Sequence, residues 1–383
     1  MPLPSDAECT HSARVVAHLV HEIADKEGWI SFADYMNAAL YAPGLGYYAA
    51  GAHKFGAAGD FVTAPELTPL FGRTLAVQLA QVLAQVPDGE ILEIGPGSGR
   101  LAADVVAGLA ERNALPARYL LLEVSPDLRE RQREHLSARA RDFLSRVEWI
   151  DALPERWSGA VIANEVLDAV PAHRVVRRGG QWFERGVSLD TSAHLAFADR
   201  PLASGRLRNM AQTRFPEGGD YVSELNPTAE ALVTSIGERC ERGLMLLVDY
   251  GFPAAEYYHP QRDSGTLMAH YRHRALADPF WYPGLIDMTT HVDFTAMARA
   301  GVASGMSVAG FATQAHFLVN CGVLDALARC ADPQSAAYLR AANAVQKLTS
   351  PAEMGELFKV LALRRGIDSE FVGFREGERS HRL

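Results

Sequence analysis

Glu93-Ile94-Gly95-Pro96-Gly97-Ser98-Gly99 is the densest chemical signal in this 383-residue sequence. Glycine stands at every second position of a turn, between the apolar run Glu90 to Ile94 and a helical pattern from Arg100 to Arg112. Glycine permits positive φ and lets the backbone come close to a ligand. A helix that follows such a turn aims its unpaired N–H groups at whatever fills it. The arrangement points to a nucleotide-type cofactor, with Glu93, Gly95, Gly97 and Gly99 as candidate binding residues. The dinucleotide fingerprint requires a glycine where Arg100 stands, which disfavours a nicotinamide dehydrogenase.

Strand ends on one edge of an α/β sheet line a ligand crevice, and three more carry suitable groups. Glu123 follows an apolar run 24 positions after Gly99, near where an acid accepts both ribose hydroxyls of a bound nucleotide; it also reads as an ordinary acid at a helix start. Asp151 ends the run Val147 to Ile150 and either meets an adenine ring or caps a turn. The fourth end is Asn164-Glu165-Val166-Leu167-Asp168-Ala169-Val170-Pro171-Ala172-His173. Polar groups directly after an apolar strand are more than a structural loop needs. If the segment makes a helical turn, Glu165 and Asp168 share a face; the bland alternative has Asp168 as a helix cap and Glu165 solvated. Asn164, Glu165, Asp168 and His173 are the candidate catalytic residues.

The elements that position these groups alternate between strand and helix. Apolar positions from Ser12 to Lys26 predict an amphipathic helix. A second begins near Ser31 and Asp34 and ends at Pro43-Gly44, and a third starts at Thr68-Pro69 and reaches about Val86. Residues 44–59 read as an irregular lid. Strands are expected at 90–94, 119–123, 147–150, 159–163, 243–249 and 358–363, with a polar-faced helix at 126–141 and helical character from Cys321 to Lys347. This alternation implies a parallel sheet wrapped by helices. Val175 to Asp190, with Gly179-Gly180, predicts a hairpin. Phe252 to Thr290 is rich in Tyr, His, Pro and Trp without a clear period, and such a segment reads as functional or lid-like. Arg375 to Leu383 reads as a polar tail.

Composition narrows the class. The 46 acidic and 37 basic residues give a net charge of −9, which argues against general nucleic-acid binding. The four cysteines are scattered without a C-x-x-C pair, a pattern that fits reduced thiols in a cytoplasmic enzyme. No apolar run approaches the ~20 residues needed to cross a bilayer, so no membrane insertion is expected. The N-terminus lacks a basic start and a clean apolar core, and is expected to be neither a secretory signal nor a transit peptide. His259, His270, His273 and His291 are not at a recognised metal-ligand spacing, and no metal is expected. Trp281 and Tyr282 suit either a peptide groove or a buried structural role.

The E-x-G-x-G-x-G spacing resembles the first motif of Rossmann-like methyltransferases that use S-adenosylmethionine (SAM). Across nearly its whole length the sequence resembles the MidA-like family of SAM-dependent methyltransferases. The matching pieces include Gly46-Tyr47-Tyr48, Gly59-Asp60-Phe61-Val62-Thr63, the glycine turn, Leu122-Glu123-Val124-Ser125 and Asn164-Glu165 through Pro171. Val248-Asp249-Tyr250-Gly251, Gly265-Thr266-Leu267, Asp287-Met288-Thr289, His291-Val292-Asp293-Phe294 and Phe358-Lys359-Val360 continue the set. The resemblance implies a Rossmann-like α/β sheet with substrate-side insertions and SAM as cofactor. It also implies a protein substrate methylated on arginine, as in the mitochondrial members that act in respiratory complex I assembly. On that reading Glu165 and Asp168 grip the guanidinium fork, which is protonated and needs carboxylates, with His173 as proton acceptor or orienter. The expected division is an N-terminal helical cap and lid over 1–68, then a methyltransferase domain over 69–383 with insertions at about 175–225 and 252–290. Methylation of a small molecule or RNA, and a SAM-binding assembly factor with little turnover, are the rival functions.

Overall fold

The computed structural model describes residues 2–50 and 63–383. The family-like stretch Gly59 to Val62 and most of the expected lid therefore lie outside the described residues. The chain divides into two compact units, each made of three segments. A parallel-sheet unit comprises Val62–Leu167, Ala231–Pro253 and Val292–Leu383. An antiparallel unit comprises Met1–Phe61, Asp168–Glu230 and Ala254–His291.

The parallel-sheet unit is built on strands β1 (Glu90–Ile94), β2 (Tyr119–Leu122), β3 (Val147–Ile150), β4 (Trp157–Asn164), β5 (Cys240–Phe252), β6 (Ser307–Thr313) and β7 (Phe358–Arg365). Their order across the sheet is β6-β7-β5-β4-β1-β2-β3. The strands β3, β2, β1, β4 and β5 run parallel, whereas β7 is antiparallel to both β5 and β6. Parallel strands covered on both faces read as continuous apolar runs. Leu244 to Val248 of β5 is such a run, every residue buried. The chain moves outward from β1 to β2 and β3, then returns to the other side of β1 as β4. Strand order reverses there, and the crevice beyond the carboxyl ends of β1 and β4 is where ligands bind in such sheets.

Helices α1 (Pro69–Leu83), α2 (Arg100–Ala110), α3 (Pro126–Arg139) and α4 (Phe294–Ala303) belong to this unit. Thr68 caps α1 through its Oγ1, which accepts the Leu70 amide at 3.3 Å, as the Thr-Pro pair predicts. Two expectations need correction. The sequence reading missed β6, because Ser-Val-Ala-Gly-Phe-Ala-Thr carries too many small residues to announce a strand. The terminal residues are not a loose tail. The Arg379 amide donates to the Phe311 carbonyl at 2.6 Å, and the Glu378 carboxylate accepts the Phe311 amide at 3.2 Å.

The antiparallel unit contains helices Asp6–Asp25 and Phe32–Tyr41. The first starts six residues before the expected Ser12, because Ser5 and Glu8 form a capping box. The second is capped by Ser31 and Asp34, as predicted. A five-stranded sheet joins Ile30–Ser31, Gln181–Leu189, His173–Arg178, Tyr221–Leu225 and Leu195–Pro201. The predicted hairpin is present: Arg178 pairs with Gln181 across a two-residue turn with both glycines at positive φ.

The segment 252–290 is not irregular throughout. Its part within this unit folds as a three-stranded sheet of Arg274–Leu276, Met268–Tyr271 and Asp287–Thr289. Its aromatic density, read from sequence as a sign of function, serves packing. Tyr271, Ile286 and Met288 join Val15, Leu19, Ile23 and Tyr35 in one buried core, against which Phe280 and Trp281 pack. The Tyr35 and Phe280 rings meet edge-on at 5.2 Å. Three short strands and connecting loops are too brief to print an apolar period.

Candidate functional site

The glycine turn folds as its spacing requires. Gly95, Gly97 and Gly99 take φ of 63°, 52° and 78°, values that side chains rarely adopt. Gly99 is the N-cap of α2 and offers no side chain to the helical amides. The Arg100 amide donates to the Ser98 hydroxyl at 3.4 Å, and an N-terminal turn leaves further amides without a helical partner. The space is tight as well as left-handed: a Cβ on Gly95 would lie 3.0 Å from Val166 Cγ2, and one on Gly99 3.1 Å from Gln132 Cγ.

Glu93 sits beneath the turn rather than in it. Its side chain is buried, and its carboxylate accepts the Tyr119 hydroxyl at 2.6 Å. Burial pushes its pKa up to about 8, only partly offset by that hydrogen bond. Glu93 thereby anchors β1 to β2 directly beneath the turn.

Glu123 follows β2 and is nearly buried. One carboxylate oxygen accepts the Ser125 amide at 2.8 Å and the other accepts Gln132 Nε2 at 3.2 Å. Burial raises its pKa, opposed chiefly by these bonds. The same Gln132 Nε2 donates to the Gly97 carbonyl at 2.8 Å, and Trp149 Nε1 donates to Gln132 Oε1 at 2.8 Å. Gln132 thus ties the glycine turn, the acid after β2 and the strand β3 into one arrangement, a role that its place in a polar helix does not disclose. Asp151, just beyond β3, is exposed.

At the end of β4, Asn164 Nδ2 donates to Glu165 Oε1 at 3.2 Å. Asn164 Oδ1 is buried and has no hydrogen-bond partner among the described residues, an acceptor left open beside the point where strand order reverses. The following loop is not the helical turn on which a shared face for Glu165 and Asp168 depends. Glu165 itself is left-handed, with φ of 53°, and its amide donates to the Val248 carbonyl at 2.8 Å. The Val166 and Leu167 amides donate to Asp249 Oδ2 at 3.1 and 2.9 Å. Asp249, buried at the end of β5, holds the loop in its bent course.

A second feature went unread in the sequence. The short helix Ala64–Leu67 is fastened at both ends. Its Ala64 amide donates to Glu165 Oε1 at 3.0 Å. Glu66 accepts the Ser98 hydroxyl at 2.5 Å and lies 3.1 Å from Arg100 Nη1. An acid in Thr-Ala-Pro-Glu-Leu reads as a first-turn helix residue; only the fold shows that it clasps the glycine turn.

The chain crosses from one unit to the other between Leu167 and Asp168, so the candidate acids Glu165 and Asp168 belong to different units. In the antiparallel unit Asp168 is buried, and its carbonyl accepts the Thr290 amide at 2.9 Å. His173 opens the strand His173–Arg178, and its Nδ1 lies 2.6 Å from Glu184 Oε1. Among the described residues no group of three His, Cys, Asp or Glu side chains is placed to hold a metal ion.

A parallel sheet that reverses order at β1 and β4, a glycine turn at a helix N-terminus and an acid after the second strand define a nucleotide-cofactor enzyme. Comparison with known proteins names the class. The profile of the S-adenosyl-L-methionine-dependent methyltransferase family matches residues 73–312, and the chain belongs to that family. It is 30% identical over 341 residues to the mitochondrial protein arginine methyltransferase NDUFAF7 homologue of Caenorhabditis elegans, covering 82% of this chain and 78% of that one. The NDUFAF7 protein arginine methyltransferase of Danio rerio is 28% identical over 381 residues, covering 91% and 86%. A Burkholderia thailandensis crystal structure with S-adenosyl-homocysteine bound superposes with a TM-score of 0.96 at 48% identity, covering 100% of both chains.

The residues present fit that cofactor. The glycines of the turn leave room beside the N-terminus of α2, Glu123 is a buried acid directly after the second strand, and Asn164 Oδ1 is a buried acceptor with no hydrogen-bond partner among the described residues. No helix among the described residues is long and apolar enough to cross a membrane.

Proposed function

We propose that this methyltransferase modifies an arginine side chain of a protein substrate. The observation that carries the reading is a buried carboxylate, Asp168, in the unit that does not hold the glycine turn, in a chain similar to proteins named as arginine methyltransferases. SAM supplies an activated methyl group on a sulfonium, so the chain needs no covalent intermediate and contributes alignment. A guanidinium stays protonated near neutrality and is a poor nucleophile. Carboxylates that hold its fork draw charge away from the attacking nitrogen. Asp168 takes that part, and Glu165, with Asn164 beside it, orders the loop that leads to it. His173, oriented by Glu184 through Nδ1, has its other ring nitrogen for the proton released when the nitrogen is methylated.

A net charge of −9 weighs against an RNA acceptor. The test is incubation of the protein with labelled SAM and a cell extract, followed by mass spectrometry of the labelled product. Methylated arginine in a polypeptide supports the reading; label confined to RNA, to a small molecule or to another side chain overturns it.

A further inference from the structure

Within the antiparallel unit, Tyr41, Tyr48, Asp168 and Asp287 form a cluster, with Thr289 two residues along the strand from Asp287. The Tyr48 hydroxyl donates to Asp287 Oδ1 at 2.8 Å, and the Tyr41 hydroxyl donates to the Ala169 carbonyl at 2.9 Å. Each phenol has spent its single proton on an internal partner and keeps its lone pairs. Both carboxylates are buried, Asp287 at 4% and Asp168 at 6% exposure. They lie near the same two phenols: burial first, and then the charges of Asp287 and Asp168, hold the Tyr48 hydroxyl in its protonated form. The Asp168 carbonyl is tied to the Thr290 amide, three residues beyond Asp287.

An independent observation points to a ligand. Successive residues of a strand face opposite ways. Met288 turns into the apolar core, so Asp287 and Thr289 share the other face. Thr289 Oγ1 on that face is buried and has no hydrogen-bond partner among the described residues. His270, opposite Asp287 in the ladder, is biased by burial toward its neutral form. The tyrosine rings stack with centroids 5.5 Å apart and planes 26° apart, and Tyr41 is 38% exposed, so part of this aromatic pair reaches solvent.

We propose that this cluster binds a planar cation bearing only hydrogen-bond donors, a guanidinium, with Asp287 as its specificity-determining carboxylate and the stacked tyrosines as its platform. Guanidinium has five N–H donors and no acceptor, pairs with carboxylates in a fork and stacks on aromatic faces. A lysine ammonium would use the charge but not the flat ring. That the bound group is the methyl acceptor rests on the function proposed above; the binding itself does not.

The test titrates Nα-acetyl-arginine amide, and its neutral analogue Nα-acetyl-citrulline amide, into the full-length protein saturated with S-adenosyl-homocysteine. The arginine probe should bind at least about tenfold more tightly than the citrulline probe, as expected for hydrogen bonds to charged groups. Asp287→Asn, which still offers an oxygen to the Tyr48 hydroxyl, should weaken the arginine probe about ten- to hundredfold and leave S-adenosyl-homocysteine affinity within about twofold. Should Asp287→Asn lower the thermal midpoint or the cofactor affinity, Tyr48→Phe decides, with a smaller loss in the same direction. Equal binding of the two probes, or arginine binding unchanged in both variants, overturns the site. A probe lost in Asp287→Asn from a protein that labels no arginine in extract keeps this site and removes the proposed activity. Labelled arginine with unchanged probe binding does the reverse.

Discussion

The two units present their chemistry in different ways. In the parallel-sheet unit the polar groups stand at strand ends, each a few residues beyond an apolar run, and topology alone gathers them at one edge. In the antiparallel unit Tyr41, Tyr48, Asp168 and Asp287 come from three stretches of chain far apart in sequence, brought together by a sheet of very short strands. A regular parallel sheet can fix a cofactor site from local signals. A cluster assembled from distant stretches, such as the one proposed to bind a guanidinium, takes its identity from tertiary structure.

The difference can be broken first at two glycines with nearly the same backbone. Gly97 and Gly179 have φ of 52° and 55°. A β-branched residue at either costs strain on the order of 1–3 kcal/mol. Gly97→Val should abolish measurable SAM binding in calorimetry, since it also fills the turn. Gly179→Val, in a hairpin with open space around it, should lose stability and retain SAM affinity. Equal loss of binding in both would show that strain, not the cradle, governs the cofactor.

Next in size come the acids at the crossing between units. Asp168→Asn should keep S-adenosyl-homocysteine affinity and lose most methyl transfer, by about tenfold or more for a lost bond to a charged group, whereas Glu165→Gln should keep the affinity and lose less transfer. Glutamine at 165 still offers an oxygen to the Ala64 amide, so the helix Ala64–Leu67 should stay in place. Unchanged turnover in both variants would make this loop structural.

Within the cofactor edge smaller effects are expected. Glu123→Ala should weaken SAM by about 1–3 kcal/mol through lost ribose contacts. Glu66→Gln should cost up to about 1 kcal/mol of SAM affinity, since its partly exposed pair with Arg100 is modest. Turnover at saturating SAM should be unaffected; a matching fall there would place Glu66 nearer the chemistry.

A pH dependence of stability belongs to the same unit. The folded pKa of Glu93, about 8, lies above its ordinary 4.5. The folded state therefore holds a proton that the unfolded chain has released. Stability from this group is complete below about 4.5 and falls as pH rises towards 8. Glu93→Gln should flatten that slope in urea unfolding between pH 5 and 8. An identical slope in wild type and variant would assign the dependence elsewhere.

The same contrast explains what the sequence discloses. Thr68-Pro69, Ser31 with Asp34, and Gly179-Gly180 set their helix starts and their turn by local chemistry, and each is legible by inspection. The glycine turn is legible for the same reason. The strand β6 is hidden by its small residues, and Asp287–Thr289 by being three residues long. Asp249 looks like one acid among many until its carboxylate is seen accepting the amides of the loop after β4. Aromatic density in 252–290 reads as a sign of function because composition cannot tell a packed ring from an exposed one. Glu165 and Asp168 were paired by sequence spacing, yet Glu165 adopts a left-handed backbone that no spacing rule anticipates.

The division of labour between the units is tested most directly by measuring S-adenosyl-homocysteine affinity and methyl transfer together in Glu123→Ala and Asp168→Asn. Glu123→Ala should lose cofactor affinity and regain transfer at saturating SAM, whereas Asp168→Asn should keep cofactor affinity and remain impaired at any SAM concentration. Loss of cofactor affinity in Asp168→Asn, or full transfer by that variant, would contradict the assignment of cofactor and acceptor to separate units.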